Sequence, residues 1–222
     1  ELNTYEELVS ALDGSKALLR AKERNSEGFG ENTKISLIKN LEEEIRRFDR
    51  DQRLAYMTDV GGPQRIRGLA GSGKTVVLAM KAALTAIKHP EARIAVTFYT
   101  KSLYQHIKQL ITRFYRLYED RDPDWEQIQV LHAWGGATVN GLYYSAARSF
   151  GHPAISFAEA SSKSRNQPFA YACADLLKNP SISSLFDYVF VDEAQDFPKE
   201  FMQLALKLAR EDKIVIAYDA FQ

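Results

Sequence analysis

The stretch Gly68-Leu69-Ala70-Gly71-Ser72-Gly73-Lys74-Thr75 decides how the rest of this chain is read. It meets the pattern G-x-x-x-x-G-K-[ST] of a phosphate-binding loop at every fixed position. Just ahead of it, Arg65-Ile66-Arg67 predicts the end of a short strand, and Val76 to Ile87 predicts an amphipathic helix. A strand, a glycine turn and a helix N-terminus together make an anion cradle, because main-chain N–H groups and the positive helix end converge on phosphate oxygens. The loop residues Gly71, Ser72 and Gly73 would approach a nucleotide through the backbone, where a Cβ is unwelcome. Lys74 would reach the β- and γ-phosphates of ATP, and the Thr75 hydroxyl would hold Mg²⁺. The competing reading is a glycine turn before an ordinary helix, and the flanking strand and helix weigh against it.

Composition bounds the remaining possibilities. The chain has 222 residues, 45% of them hydrophobic, which is enough for a substantial core. Lys+Arg and Asp+Glu balance at 29 each, so any surface for nucleic acid must be local. The single cysteine, Cys173, excludes an internal disulfide and fits a reducing compartment. With no long apolar run and no signal-peptide pattern at the start of the sequence, a soluble, cytoplasmic protein is expected.

Outward from the loop, strand and helix patterns alternate. Residues 93–98 read as a buried strand, followed by a helix with the stripe Leu103, Ile107, Leu110, Ile111, Phe114 and Leu117. Ile128 to Leu131 is a second short strand. Residues 137–184 show weaker periodicity, and a small, mostly helical insertion is expected over about 133–184. Residues 187–191 form a third apolar strand, 199–210 a helix and 213–217 a fourth strand. Counting the strand before the loop, the alternation predicts an α/β fold with a mostly parallel sheet flanked by helices, and ligands in such sheets sit at the carboxyl ends of strands. Upstream, residues 1–50 read as a helical leader without chemistry, separate from a domain over 51–222. Gln52 lies a short way before the loop strand, where its amide could read one edge of adenine.

The strand at 187–191 delivers Asp192-Glu193-Ala194-Gln195-Asp196 to that carboxyl edge. Asp192 is a candidate for holding Mg²⁺ through water, and Glu193 for orienting or deprotonating an attacking water. A solvated strand end is the plain alternative, and the loop upstream favours catalysis. Gln222, on the neighbouring strand end, could sense a γ-phosphate, although taken alone it is a weak signal.

Taken together, these stretches resemble the UvrD/Rep-like superfamily 1 helicases, specifically the first of their two RecA-like halves. Asp51-Gln52 looks like the Q motif and Gly68 to Thr75 like motif I. Ile94 to Lys101 looks like motif Ia and Val130 to Trp134 like motif Ib. Val191 to Asp196 looks like motif II, and Tyr218 to Gln222 like the start of motif III. The resemblance implies ATP hydrolysis stimulated by single-stranded DNA or RNA, and a second RecA-like half, supplied by a longer protein, that completes the ATP site with arginines. It also implies that Phe98, Thr100, Lys101, His132 and Trp134 belong to the strand-facing surface, where aromatic stacking and cationic contacts would hold a single strand. Core packing remains the alternative for Phe98 and Trp134, and a satisfied polar contact for His132. A nucleotide-gated switch or nuclease-associated effector is the alternative to a motor, and a small-molecule kinase fits the loop alone.

Overall fold

The computed structural model describes residues 61–69, 71–136 and 139–219, all within one compact unit. The leader at 1–50, Gln52 and Gln222 lie outside the described residues. Five strands form one sheet: β1 (Gln64–Gly68), β2 (Ile94–Phe98), β3 (Ile128–His132), β4 (Tyr188–Val191) and β5 (Ile214–Asp219). Their order is β1-β5-β4-β2-β3, and every pairing is parallel. The carboxyl ends of all five strands therefore lie along one edge. The register places Gly68 opposite Asp219, and β5 separates the glycine-loop strand from the strand that ends before Asp192.

Parallel strands are buried on both faces, and β2, buried at all five positions, shows why its sequence reads as a continuous apolar run. The two faces follow from the two-residue period of a strand. Ala95, Leu131, Val189, Val191 and Ile214 join one cluster with α3 (Leu142–Ser149), α5 (Pro168–Leu177) and α6 (Lys199–Leu208). Ile94, Val96, Phe98 and Phe190 alternate with these and face the opposite side. That side is covered by α1 (Lys74–Lys88) and α2 (Leu103–Arg116), which pack against each other. The α/β layering matches the sequence expectation, with boundaries shifted by one or two residues.

Between β3 and β4 the expected insertion comprises α3, α4 (Phe157–Lys163) and α5, three short helices joined by loops. Their weak periodicity follows from small buried residues such as Ala146, Ala147, Ala160 and Ala172, which let the helices approach closely without a strong apolar stripe. The loop leaving β3 crosses itself tightly. A Cβ on Gly141 would sit 2.3 Å from the Gly135 backbone, so neither position accepts a side chain in place. Among the described residues, no helix is long and apolar enough to cross a membrane.

Candidate functional site

The glycine loop joins β1 to α1. Gly71 and Gly73 have φ of +73° and +79°, the left-handed region in which an ordinary side chain costs about 1–2 kcal/mol. Gly73 is the N-cap of α1, and no side chain caps that end among the described residues. The first N–H groups of a helix lack intrahelical partners, so this end can donate to an anion. Lys74 is buried, with its ammonium donating to the Leu69 carbonyl at 3.0 Å, folded back over the loop.

Thr75, the second helical residue, reaches across the sheet edge. Its hydroxyl donates to Asp192 Oδ2 at 2.8 Å, joining residues 117 positions apart. Asp192 has no exposed surface, and its other oxygen, Oδ1, has no hydrogen-bond partner among the described residues. The Thr97 hydroxyl, on neighbouring β2, is likewise buried without a partner. Buried orphan atoms cost free energy and are uncommon in folded proteins, so the Asp192 oxygen is a position that a water or a cation would satisfy. Burial pushes the Asp192 carboxyl up to about 6, the Thr75 hydrogen bond pulls it down, and neighbouring Glu193 pushes it further up. An oxygen-lined spot with one hydroxyl and one under-coordinated carboxylate fits a small hard cation that retains waters and phosphate oxygens, as Mg²⁺ does. No cluster of three or more His, Cys, Asp or Glu exists among the described residues, so an all-protein metal cage is not built there.

Glu193 follows in a left-handed conformation, φ 49° and ψ 49°, without being glycine. Strain of this kind costs on the order of 1 kcal/mol and concentrates at functional sites. The strained turn is held from both ends. The Gln195 amide donates to Glu193 Oε2 at 2.5 Å, and Gln195 Oε1 accepts the Asp219 N–H at 3.0 Å. Gln195 thus ties the candidate base to the end of β5. In the sequence it stands only as a member of the acidic box. Its partner on β5 is 24 residues away and becomes visible only when β4 and β5 are known to be neighbours.

The expected strand-facing residues divide. Phe98 is 0% exposed; its ring meets Tyr104 and His132, each at 6.3 Å. As the last residue of β2, it points into the α2 side of the core, which is the core-packing alternative. His132 uses Nδ1 to accept the N–H groups of Trp134 and Gly135, at 3.2 and 3.1 Å. Burial lowers its pKa, a hydrogen bond with the Tyr99 backbone raises it, and Lys101 lowers it further, so a neutral ring shaping the loop fits the polar-contact alternative. Trp134 is half-buried, stacked on Phe169 at 4.9 Å with Nε1 donating to the Ile155 carbonyl. Thr100 and Lys101 are exposed. Two aromatics that the sequence reading missed stand exposed here: Tyr99 (48%) and Phe157 (66%). Nothing in the local pattern distinguishes them from core aromatics.

Comparison with protein-family models, curated proteins and solved structures finds no match for this chain. The geometry at the sheet edge therefore carries the functional reading.

Proposed function

We propose that this chain is the ATP-binding and ATP-hydrolysing half of a UvrD/Rep-like superfamily 1 helicase or translocase, built on a RecA-like fold and working on single-stranded DNA or RNA. The Thr75–Asp192 hydrogen bond carries the reading. It brings the last residue of the glycine-loop motif onto the first carboxylate of the acidic box, although the two come from strands separated by β5.

In this reading the first turn of α1 and the loop amides bind the phosphates. Lys74 exchanges the Leu69 carbonyl for phosphate oxygens, and Thr75 and Asp192 hold Mg²⁺. When bound, Mg²⁺ neutralises charge on the β- and γ-phosphates. Glu193 orients the attacking water and accepts its proton, with Gln195 fixing the direction of the carboxylate. The arginines that complete such a site across a cleft would come from a second RecA-like half.

The buried Phe98 fits its core-packing alternative, and this favours a second reading: an ATP-gated switch or effector ATPase without unwinding. Measuring ATP turnover with and without single-stranded DNA and RNA, beside Lys74→Ala, tests both. Stimulation by one nucleic acid that disappears in the variant supports the motor. Lysine-dependent turnover indifferent to both supports the switch, and turnover unchanged by Lys74→Ala sinks the nucleotide site itself. If Lys74 contacts phosphate, its loss should weaken ATP binding by about 10- to 100-fold, as expected for a charge-assisted hydrogen bond.

A further inference from the structure

Separated from the glycine-loop strand by β5, β4 and β2, β3 is the outermost strand of the sheet among the described residues. The bonds at its two ends show which way its main chain faces. Ile94 N–H donates to the Gln127 carbonyl at 2.9 Å and Ala133 N–H to that of Phe98 at 3.0 Å, so the odd-numbered residues of this segment face β2. Alternate residues of a parallel ladder face opposite sides, which turns Ile128, Val130 and His132 outward. The chain's own turns take two of their N–H groups. Ile128 donates to the Asp124 carbonyl at 2.9 Å and His132 to that of Asn140 at 3.2 Å. Val130 between them is buried, and no partner meets its outward N–H or C=O among the described residues. Buried main-chain groups are nearly always paired, and a row of unpaired ones on an edge strand is a template for another chain. A groove of about 460 Å³ runs along this gap, lined by the strand itself, by Tyr104 and Lys108 of α2, and by Trp125, Glu126 and Asn140. The Lys108 ammonium is held between two rings, 4.2 Å from the centre of Trp125 and 5.6 Å from that of Tyr104. Neither Lys108 nor Glu126 has an ion-pair partner among the described residues.

We propose that this groove docks an extended segment of a protein partner, added to the sheet as a short outer strand beside Val130. The segment carries an acidic side chain for Lys108 and a basic one for Glu126. A peptide main chain supplies both the acceptor and the donor that Val130 lacks, and its side chains supply specificity, as in other strand additions. The charges choose the occupant. Two unpaired charges of opposite sign on one groove complement a segment of mixed charge, whereas Glu126 repels a phosphate backbone. The turns that bond to Ile128 and His132 close the two ends, which limits the added strand to a short one. Because β3 and the glycine-loop strand lie at opposite edges of the sheet, the proposal stands independently of the ATPase reading.

The test is fluorescence anisotropy of the full chain with labelled, capped hexapeptides of Val and Thr, each bearing one Glu and one Lys, in both orders and at every spacing. At least one peptide should bind. Its affinity should fall about fivefold with Lys108→Glu and recover when the peptide's Glu is exchanged for Lys, the size of a part-exposed ion pair. Val130→Pro deletes the outward N–H, a change that an edge strand tolerates, and should abolish binding with little change in thermal melting. The best peptide, methylated on its main-chain nitrogens, gives the same readout on the unaltered protein and should not bind, so the proposal is tested even if Val130→Pro fails to fold. Absence of binding across the whole panel at millimolar concentration would overturn the proposal, as would binding indifferent to both methylation and Lys108→Glu. Self-association of the wild type that Lys108→Glu abolishes would assign the groove to a second copy of this chain instead. Displacement of the peptide by a single-stranded oligonucleotide would assign it to nucleic acid, and in either case the peptide-docking proposal falls.

Discussion

In the proposed ATPase reading, Asp192 is the residue at which stability and chemistry oppose each other. Its folded carboxyl titrates near 6 against an ordinary 3.8, so between those values the native state holds a proton that the unfolded chain has released. Stability therefore falls as pH rises from about 4 to 6 and levels off above, by on the order of 3 kcal/mol, when no cation offsets the buried charge. Asp192→Asn removes that cost. The variant should melt higher than wild type at pH 7, with the difference fading as pH falls towards 4, while losing Mg²⁺-dependent ATP binding. Melting curves at several pH values with and without Mg²⁺ check both halves. Gln195 makes a separate prediction at this scale. Gln195→Ala frees the Glu193 carboxylate without touching the loop, so kcat for ATP should drop about tenfold or more while nucleotide affinity stays close to wild type. A change confined to KM would reassign Gln195 to binding.

At the scale of elements, the segment from β3 to α3 sets the shape of the sheet edge. His132 accepts two successive N–H groups from the residues that follow it, and Gly135 crosses Gly141 at a distance no Cβ tolerates. The same crossing lets Tyr143 N–H reach the Ala133 carbonyl and Tyr144 N–H reach that of Trp134. Gly141→Ala should therefore cost about 2 kcal/mol or more in a denaturant titration, the size expected when backbone must shift, and should alter the fluorescence environment of Trp134. Gly151→Ala is the contrasting control: a Cβ there meets nothing within 4 Å, and only the positive φ resists it.

For the molecule as a whole, ligand and fold should be coupled. In the proposed reading, a nucleotide bridging the loop after β1 and the carboxylate after β4 would fasten together the two sides of β5, which no single strand contact does. Mg²⁺–ATP at about a hundred times its Kd should raise native stability by about 2.7 kcal/mol, some 5–10 °C in Tm for a protein of this size. ATP without Mg²⁺ should give a smaller shift, and Lys74→Ala should give almost none. An equal shift in the variant would place the nucleotide elsewhere.

The sequence by itself determined the alternation of strands and helices, the glycine loop, and the candidate roles of Lys74, Thr75, Asp192 and Glu193, because each depends on near neighbours. Periodicity is local, and a phosphate cradle needs only the strand, turn and helix around it. The tertiary structure decided what depends on strand order and side-chain direction. It put Thr75 against Asp192 and Gln195 between Glu193 and β5, turned Phe98 inward, and left Phe157 in solvent. An aromatic in an apolar run has the same sequence signature whether it is covered or exposed. Which helix packs over it is settled by contacts between residues far apart in the chain, and the detailed fold of the expected insertion was not legible because its small buried alanines carry little periodic signal.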